Sequence, residues 1–187
     1  LRVVSFPPPS SGGAVLAQAL NILDGFDLAR LPIGSVPAIH LLTEAMKLAF
    51  ADRAAYMGDA DFVEVPIGTL VSREYAARQR SRISADRATT ITAPGSIPDD
   101  SGTTHLSVTD AAGRAVALTM TINTPFGSGI TVPGTGVILN NEMDDFAVAT
   151  DTPNSYGLID TRGANLVAGG KRPLSSMTPT ILDRDGR

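Results

Sequence analysis

The sequence of 187 residues contains no cysteine. Disulfides, zinc–thiolate sites and thiol nucleophiles are therefore excluded. Histidine is almost as scarce: His40 and His105 stand alone, and neither has a second ligand at metal-binding spacing. No metal or other cofactor is expected. Charge is sparse as well, at 18% of residues with a net value of −4. No long run of Lys or Arg interrupts it, which argues against nucleic acid as a partner. No stretch approaches the ~18 consecutive apolar residues of a membrane span. What remains is a globular composition with 43% apolar residues, enough for one domain with a core. The sequence begins with Leu1 rather than methionine, and no charged-then-apolar signal segment opens it. At the other end, Asp183-Arg184-Asp185-Gly186 makes a turn signal directly after Thr180-Ile181-Leu182. The sequence reads as a piece of a longer protein.

The first half carries helical periodicity. Pro7–Pro9 and Ser10-Ser11-Gly12-Gly13 lead into Ala14–Asp24, where Leu16, Leu20 and Leu23 recur at helical spacing before Gly25. A second helix is predicted from a cap at Ser35 to about Met57, with Leu41, Ala45 and Leu48 on one stripe. His40 lies on this helix and is expected in the core. A third, more polar helix is predicted over Arg73–Ile83. From Ser84 to Gly102 the periodicity disappears among Pro94, Gly95, Pro98, Asp99, Asp100 and Gly102. Such a stretch is either a functional loop or a plain linker.

Beyond residue 102 the period becomes two. Leu106 and Val108 alternate with His105 and Ser107; Val116, Leu118, Met120 and Ile122 alternate with Ala117, Thr119 and Thr121. Asp110-Ala111-Ala112-Gly113 supplies a hairpin with a three-residue loop and Gly113 in the left-handed position. That loop pairs Asp110 with Arg114, Val108 with Val116 and Leu106 with Leu118. A two-residue loop would mismatch the faces, because a one-residue slip flips every side chain of one strand. In the selected register Thr103 lies across from Thr121, beside His105 and Thr119. Cross-strand Cβ atoms lie ~4.5–5.5 Å apart, within hydrogen-bonding reach for two hydroxyls. On spacing alone the pair reads rather as a surface Thr–Thr contact of a half-exposed hairpin.

Several motifs in order give a stronger signal. Thr103-Thr104-His105, Ser107-Val108, Asn123-Thr124-Pro125-Phe126-Gly127-Ser128-Gly129, Leu139-Asn140-Asn141-Glu142-Met143-Asp144-Asp145-Phe146 and Lys171–Thr180 resemble the small subunit of γ-glutamyltransferases. Upstream, Pro7–Gly13 and Ala51-Asp52-Arg53 resemble the closing part of the large subunit. The resemblance implies an α+β fold, the αββα four-layer sandwich of N-terminal-nucleophile hydrolases, of which this chain would hold a part. It implies residues 1–102 as the C-terminal part of the large subunit and 103–187 as the N-terminal part of the small one. It also implies self-cleavage between Gly102 and Thr103, and a periplasmic or secreted location.

The chemistry so implied is coherent. A threonine hydroxyl needs an adjacent base to act as a nucleophile. Cleavage before Thr103 would create an α-amine on the same residue, with a reference pKa of ~7.7–8.0. By the resemblance, Thr121 hydrogen-bonds the nucleophile. Asn123, Glu142 and Asp145 hold the substrate α-amino group, and Ser175 and Ser176 help bind its α-carboxylate. Tyr156 belongs to a loop folding over the glutamyl pocket. The substrates implied are glutathione or other γ-glutamyl compounds, with water, amino acids or peptides as acceptors. His105 is assigned a structural role, since the amine supplies the base.

Two parts of the family's site are absent from these residues: the arginine that meets the substrate carboxylate, expected upstream, and the Gly-Gly oxyanion pair, expected downstream. The remaining segments of both subunits are thus expected partners, and the chain alone is expected to be inactive, since each oxyanion donor is worth roughly 10²–10³ in rate. Two alternatives stand beside the enzyme: a cephalosporin acylase-type relative, which takes a side chain without the α-amino group, and an uncleaved, non-catalytic paralogue.

Overall fold

The computed structural model describes residues 2–90 and 103–184. Gly102, the rest of the 91–102 segment and the end of the turn expected at Asp183–Gly186 lie outside the described residues. Helix α1 (Gly12–Leu23) buries Val15, Gln18, Ala19, Ile22 and Leu23. The buried stripe is thus displaced from the one expected: Leu20 is 45% exposed and borders an apolar groove beside the first strand. Arg80 packs over Gly25 and donates to the carbonyls of Ile22 and Asn21 at 2.7 and 2.8 Å, satisfying two of the acceptors that a helix end leaves over.

Helix α2 (Val36–Tyr56) buries Leu41, Ala45 and Leu48 as predicted. Its start differs from the expectation. Ser35 occupies the N-cap position, but its hydroxyl is buried with no partner among the described residues; Pro37 in the first turn, with φ preset for a helix, opens the element. His40 is half-buried rather than in the core, and its Nε2 meets the Ser84 carbonyl at 2.7 Å. A short helix, α3 (Ile67–Leu70), precedes α4 (Arg73–Arg80), which Ser72 caps by accepting from the Tyr75 N–H at 3.1 Å. α4 stops three residues short of Ile83, in a turn closed by the Ile83 N–H on the Arg80 carbonyl.

The apolar core lies among α1, α2 and α4, where Ile22, Leu48 and Ala45 are fully enclosed alongside Leu23, Leu41 and Ala76. A polar knot joins the same helices. Buried Asp52 accepts from Gln18, from the Tyr75 hydroxyl at 3.0 Å and from Gln79 at 2.6 Å. Three donors on one buried carboxylate meet the condition under which such a group is tolerated.

Two antiparallel ribbons complete the α+β arrangement. Strand β1 (Arg2–Ser5) pairs with β4 (Thr180–Asp183), bringing the two ends of the described chain together. Strand β2 (Thr103–Thr109) pairs with β3 (Ala115–Thr121) in the predicted register: Thr103 opposite Thr121, Leu106 opposite Leu118, Val108 opposite Val116. Gly113 has φ +79 in the connecting turn, and Asp110 accepts from the Ala112 and Arg114 N–H groups. The apolar face of this ribbon, with Leu106, Val108, Val116, Leu118 and Met120, remains exposed; on the polar face Ala117, Thr119 and Thr121 of β3 are half-buried while β2 is exposed throughout. Of the four-layer sandwich, the described residues therefore provide helices and two strands of each of two ribbons.

Contacts cross the expected 102/103 boundary throughout. Ser11 donates its N–H and its hydroxyl to the Ser175 carbonyl, at 2.8 and 2.9 Å. A side chain at Gly12 would meet Thr178 Oγ1 at 2.0 Å, so this close approach requires glycine. Arg172 forks onto buried Asp59 at 2.5 and 2.9 Å and fixes the segment that leads to Ser175. Among the described residues no helix is long and apolar enough to cross a membrane.

Candidate active site

An open cavity of about 400 Å³ lies between α2, the polar face of the β2–β3 ribbon and segments 142–145, 154–158 and 174–178. It gathers Thr103, Thr121, Asn123, Glu142, Asp145, Tyr156, Ser175 and Ser176, every candidate that falls within the described residues. Gly102 does not.

At one wall the Thr103 hydroxyl donates to Thr121 Oγ1 at 3.2 Å. Thr121 Oγ1 also accepts the Asn123 N–H at 2.9 Å, so one oxygen fixes both the nucleophile candidate and the residue two positions on. Asn123 adopts a left-handed backbone, φ +80, a conformation asparagine tolerates better than most residues. That twist aims its amide at the cavity, where its oxygen accepts from the Tyr156 hydroxyl while its nitrogen donates to the Asn141 carbonyl at 3.1 Å. His105 reaches Thr119 and Ser107 with its two ring nitrogens, at 2.8 and 3.0 Å, in keeping with a structural role.

A turn of 3-10 helix, Glu142–Asp145, carries the acidic wall. Of its polar neighbours, Asn140, Asn141 and Asp144 are consumed locally. Asn140 accepts the Glu142 N–H, and Asn141 accepts from Thr124 and donates to Asp144. Glu142 and Asp145 face the cavity instead. Burial, and then the charge and hydrogen bond of Glu142, push the Asp145 carboxyl up to about 7; Asn123 and the Arg53 charge oppose the rise. Two carboxylates sharing a site cannot both ionise cheaply, so this pair is poised for a cation. The Asp145 carbonyl is pinned by Asn154 and Asn165 side chains at 3.0 and 2.8 Å. Asn154 also accepts the Tyr156 and Leu158 N–H groups, tying the tyrosine loop to the acidic wall.

The opposite wall is made of hydroxyls. Ser175 Oγ accepts the Met177 N–H at 3.1 Å, and Ser176 Oγ accepts from Arg53 Nη2 at 3.2 Å. With their oxygens engaged as acceptors, both serines have their own O–H to donate, the polarity that a carboxylate requires. Arg53 and Asn154 are site residues that sequence reasoning did not single out. Arg53 stood in the quoted Ala51-Asp52-Arg53, but a charged residue in a helix reads as solvated until its partners are seen.

The sequence profile described as Gamma-glutamyltranspeptidase matches residues 1–187, and the chain belongs to that family. It is 46% identical over 189 residues to a glutathione hydrolase proenzyme of Pseudomonas sp. strain A14, and 46% identical over 190 residues to that of Escherichia coli K12. Both matches cover 100% of this chain and 33% of the relative. An acylase ACY 1 proenzyme of Pseudomonas sp. strain V22 is 42% identical over 186 residues, covering 100% of this chain and 31% of its own length. The crystal structure of cephalosporin acylase from Bacillus halodurans superposes with a TM-score of 0.76 at 29% identity, over 100% of this chain and 31% of that one. The fold is therefore part of an N-terminal-nucleophile hydrolase, and the chain spans about a third of the length of the relatives it matches.

Proposed function

We propose that this chain forms the catalytic centre segment of a γ-glutamyltransferase, which cuts itself before Thr103 and then transfers γ-glutamyl groups from glutathione-like donors. The observation that carries the reading is a cavity with two chemically opposite walls meeting at a hydroxyl. A γ-glutamyl group bears an ammonium and a carboxylate on one carbon. Glu142 and Asp145 suit the first, Ser175 and Ser176 the second, and Thr103 stands beside both.

In the proposed reaction the Thr103 oxygen attacks the γ-carbonyl carbon while its proton passes to the α-amine released by cleavage. That proton then leaves with the departing amine of the donor, and a γ-glutamyl ester remains on Thr103. Water, or the amine of an amino acid or peptide, attacks the ester and restores the hydroxyl. Thr121, by accepting from the Thr103 hydroxyl, orients it for the first step.

The acylase alternative differs at one point: its side chain has no ammonium for the acidic wall to meet. Unmet, the carboxylates of buried Asp145 and half-buried Glu142 would be a net cost. The full-length protein separates all three readings. Purified, it is expected as two chains, the smaller starting Thr-Thr-His-Leu, with turnover of a γ-glutamyl anilide well above that of the glutaryl anilide lacking the α-amine. A single uncut chain supports the non-catalytic paralogue, and a preference for the glutaryl compound supports the acylase.

A further inference from the structure

Arg53 is the buried cation of the site. It sits in the last turn of α2 with 5% of its surface exposed, and it lines the cavity. Nε donates to Ser11 Oγ at 2.9 Å and Nη2 to Ser176 Oγ at 3.2 Å. Ser11 in turn passes its own proton to the Ser175 carbonyl at 2.9 Å. One planar group thus holds both members of the serine pair, Ser176 directly and Ser175 through Ser11. The side chain of Phe50, one turn earlier, lies against it, with the guanidinium carbon 6.0 Å from the ring centre.

We propose that Arg53 is the positioning residue of the carboxylate subsite: by donating to Ser176 it forces that hydroxyl to donate outward, and its charge lowers the cost of bringing an anion to the hydroxyl wall. This rests on the functional reading above and deepens it. A serine hydroxyl left to itself can point its proton either way. A donor that cannot accept removes the choice, because guanidinium has five N–H groups and no lone pair to offer. Burial pulls the guanidinium down to about 10, with the Asp145 charge opposing the fall, so the group remains charged across the working pH range. The same cation faces both walls, since Asp145 is its electrostatic partner and Ser176 its hydrogen-bond partner. Arg53 lies before the cleavage point and both partners after it, so the subsite is assembled across the two subunits.

The test is a double-mutant cycle in the full-length protein between Arg53→Met and Ser176→Ala. It is read as the preference, in kcat/KM, for a γ-glutamyl anilide over its α-methyl ester. The wild type is expected to favour the free acid, and each single variant to lose roughly 10- to 100-fold of that preference, the weight of a hydrogen bond to a charged group. The loss should fall mainly on KM, and the double variant should lose clearly less than the product of the two single losses. Arg53→Lys keeps the charge but cannot serve Ser11 and Ser176 with one fork, so it should restore the preference only in part. Arg53→Met that is processed into two chains yet keeps the wild-type preference overturns the proposal, as do losses that multiply in the double variant. Where Arg53→Met does not fold, the cycle is run with Arg53→Lys, and a wild-type preference in that variant overturns it equally. A wild type indifferent to esterification sinks the functional reading instead, and this inference with it.

Discussion

Asp145 and Glu142 meet carboxyl to carboxyl on the cavity wall, and their mutual repulsion adds to burial in holding a proton on Asp145 up to about pH 7. An arriving ammonium reverses the balance, because an opposite charge within a few ångströms favours the ionised form. Ligand binding at pH 6.5 should therefore release most of a proton from this site. Calorimetry of glutamate binding in buffers of different ionisation enthalpy would measure it. Asp145→Asn should abolish the release and lower affinity by ~2–5 kcal/mol, the usual cost of removing one partner of a desolvated charge pair. Equal proton release from wild type and Asp145→Asn would exclude Asp145 as the titrating group.

Folding stability responds to the same carboxyl with a definite sign. Its folded pKa lies above the ordinary carboxylate value, so the folded chain binds more protons than the unfolded one between about pH 4 and 7. The contribution is full at the acid end and is lost as pH rises through 7. Asp145→Asn should flatten the stability profile in that window, measured as Tm against pH.

Asp59 has the opposite sign. The Arg172 guanidinium and the backbone N–H groups of Arg172 and Asp61 hold its carboxyl well below the usual range. Its contribution to stability is present above the unfolded value near 4 and lost as pH falls below it. Asp59→Asn should lower Tm at neutral pH and remove part of the acid sensitivity. Because Arg172 leads the chain into Pro173, Leu174 and Ser175, the variant should also weaken substrate binding. A Tm profile unchanged below pH 4 would assign acid unfolding to other carboxylates.

How much of this was open to sequence reasoning depends on the range of the interaction. The β2–β3 register was legible because the turn Asp110–Gly113 and the alternation of Leu106, Val108, Val116 and Leu118 are local and mutually consistent. Which face turns inward was not. The polar face lines the cavity and the apolar one stays exposed on this chain, and no local pattern encodes that choice. The β1–β4 pairing joins residues at opposite ends of the sequence through two four-residue strands, too short to announce themselves. The eight candidates that line the cavity were singled out through the family resemblance, whereas Arg53 reads as an exposed helical charge until Ser11 and Ser176 arrive from 42 and 123 residues away. Ser35 does stand at the N-cap, and its side chain makes no cap bond for a local reason: Pro37, at the second helical position, has no N–H to offer it.

The Thr103–Thr121 bond carries the remaining prediction. Thr121 Oγ1 serves two donors, the Thr103 hydroxyl at 3.2 Å and the Asn123 N–H at 2.9 Å. Thr121→Val keeps the shape and removes the oxygen, so the fold and Tm should change little. The nucleophile then loses an orienting bond worth ~0.5–1.5 kcal/mol, roughly 2- to 10-fold in rate. A second effect follows from Asn123, whose left-handed backbone relies on the same oxygen and whose side chain accepts from Tyr156. Loosening it should raise KM for γ-glutamyl substrates while leaving the self-cleavage step, which uses no substrate, to report the hydroxyl effect alone. Thr121→Ser retains the oxygen and should recover both steps, apart from the χ1 restraint that the lost methyl provided. Processing followed on denaturing gels and single-turnover acylation would separate the two. A Thr121→Val protein that cleaves itself and acylates at wild-type rates would show that Thr103 is oriented by something other than its cross-strand neighbour.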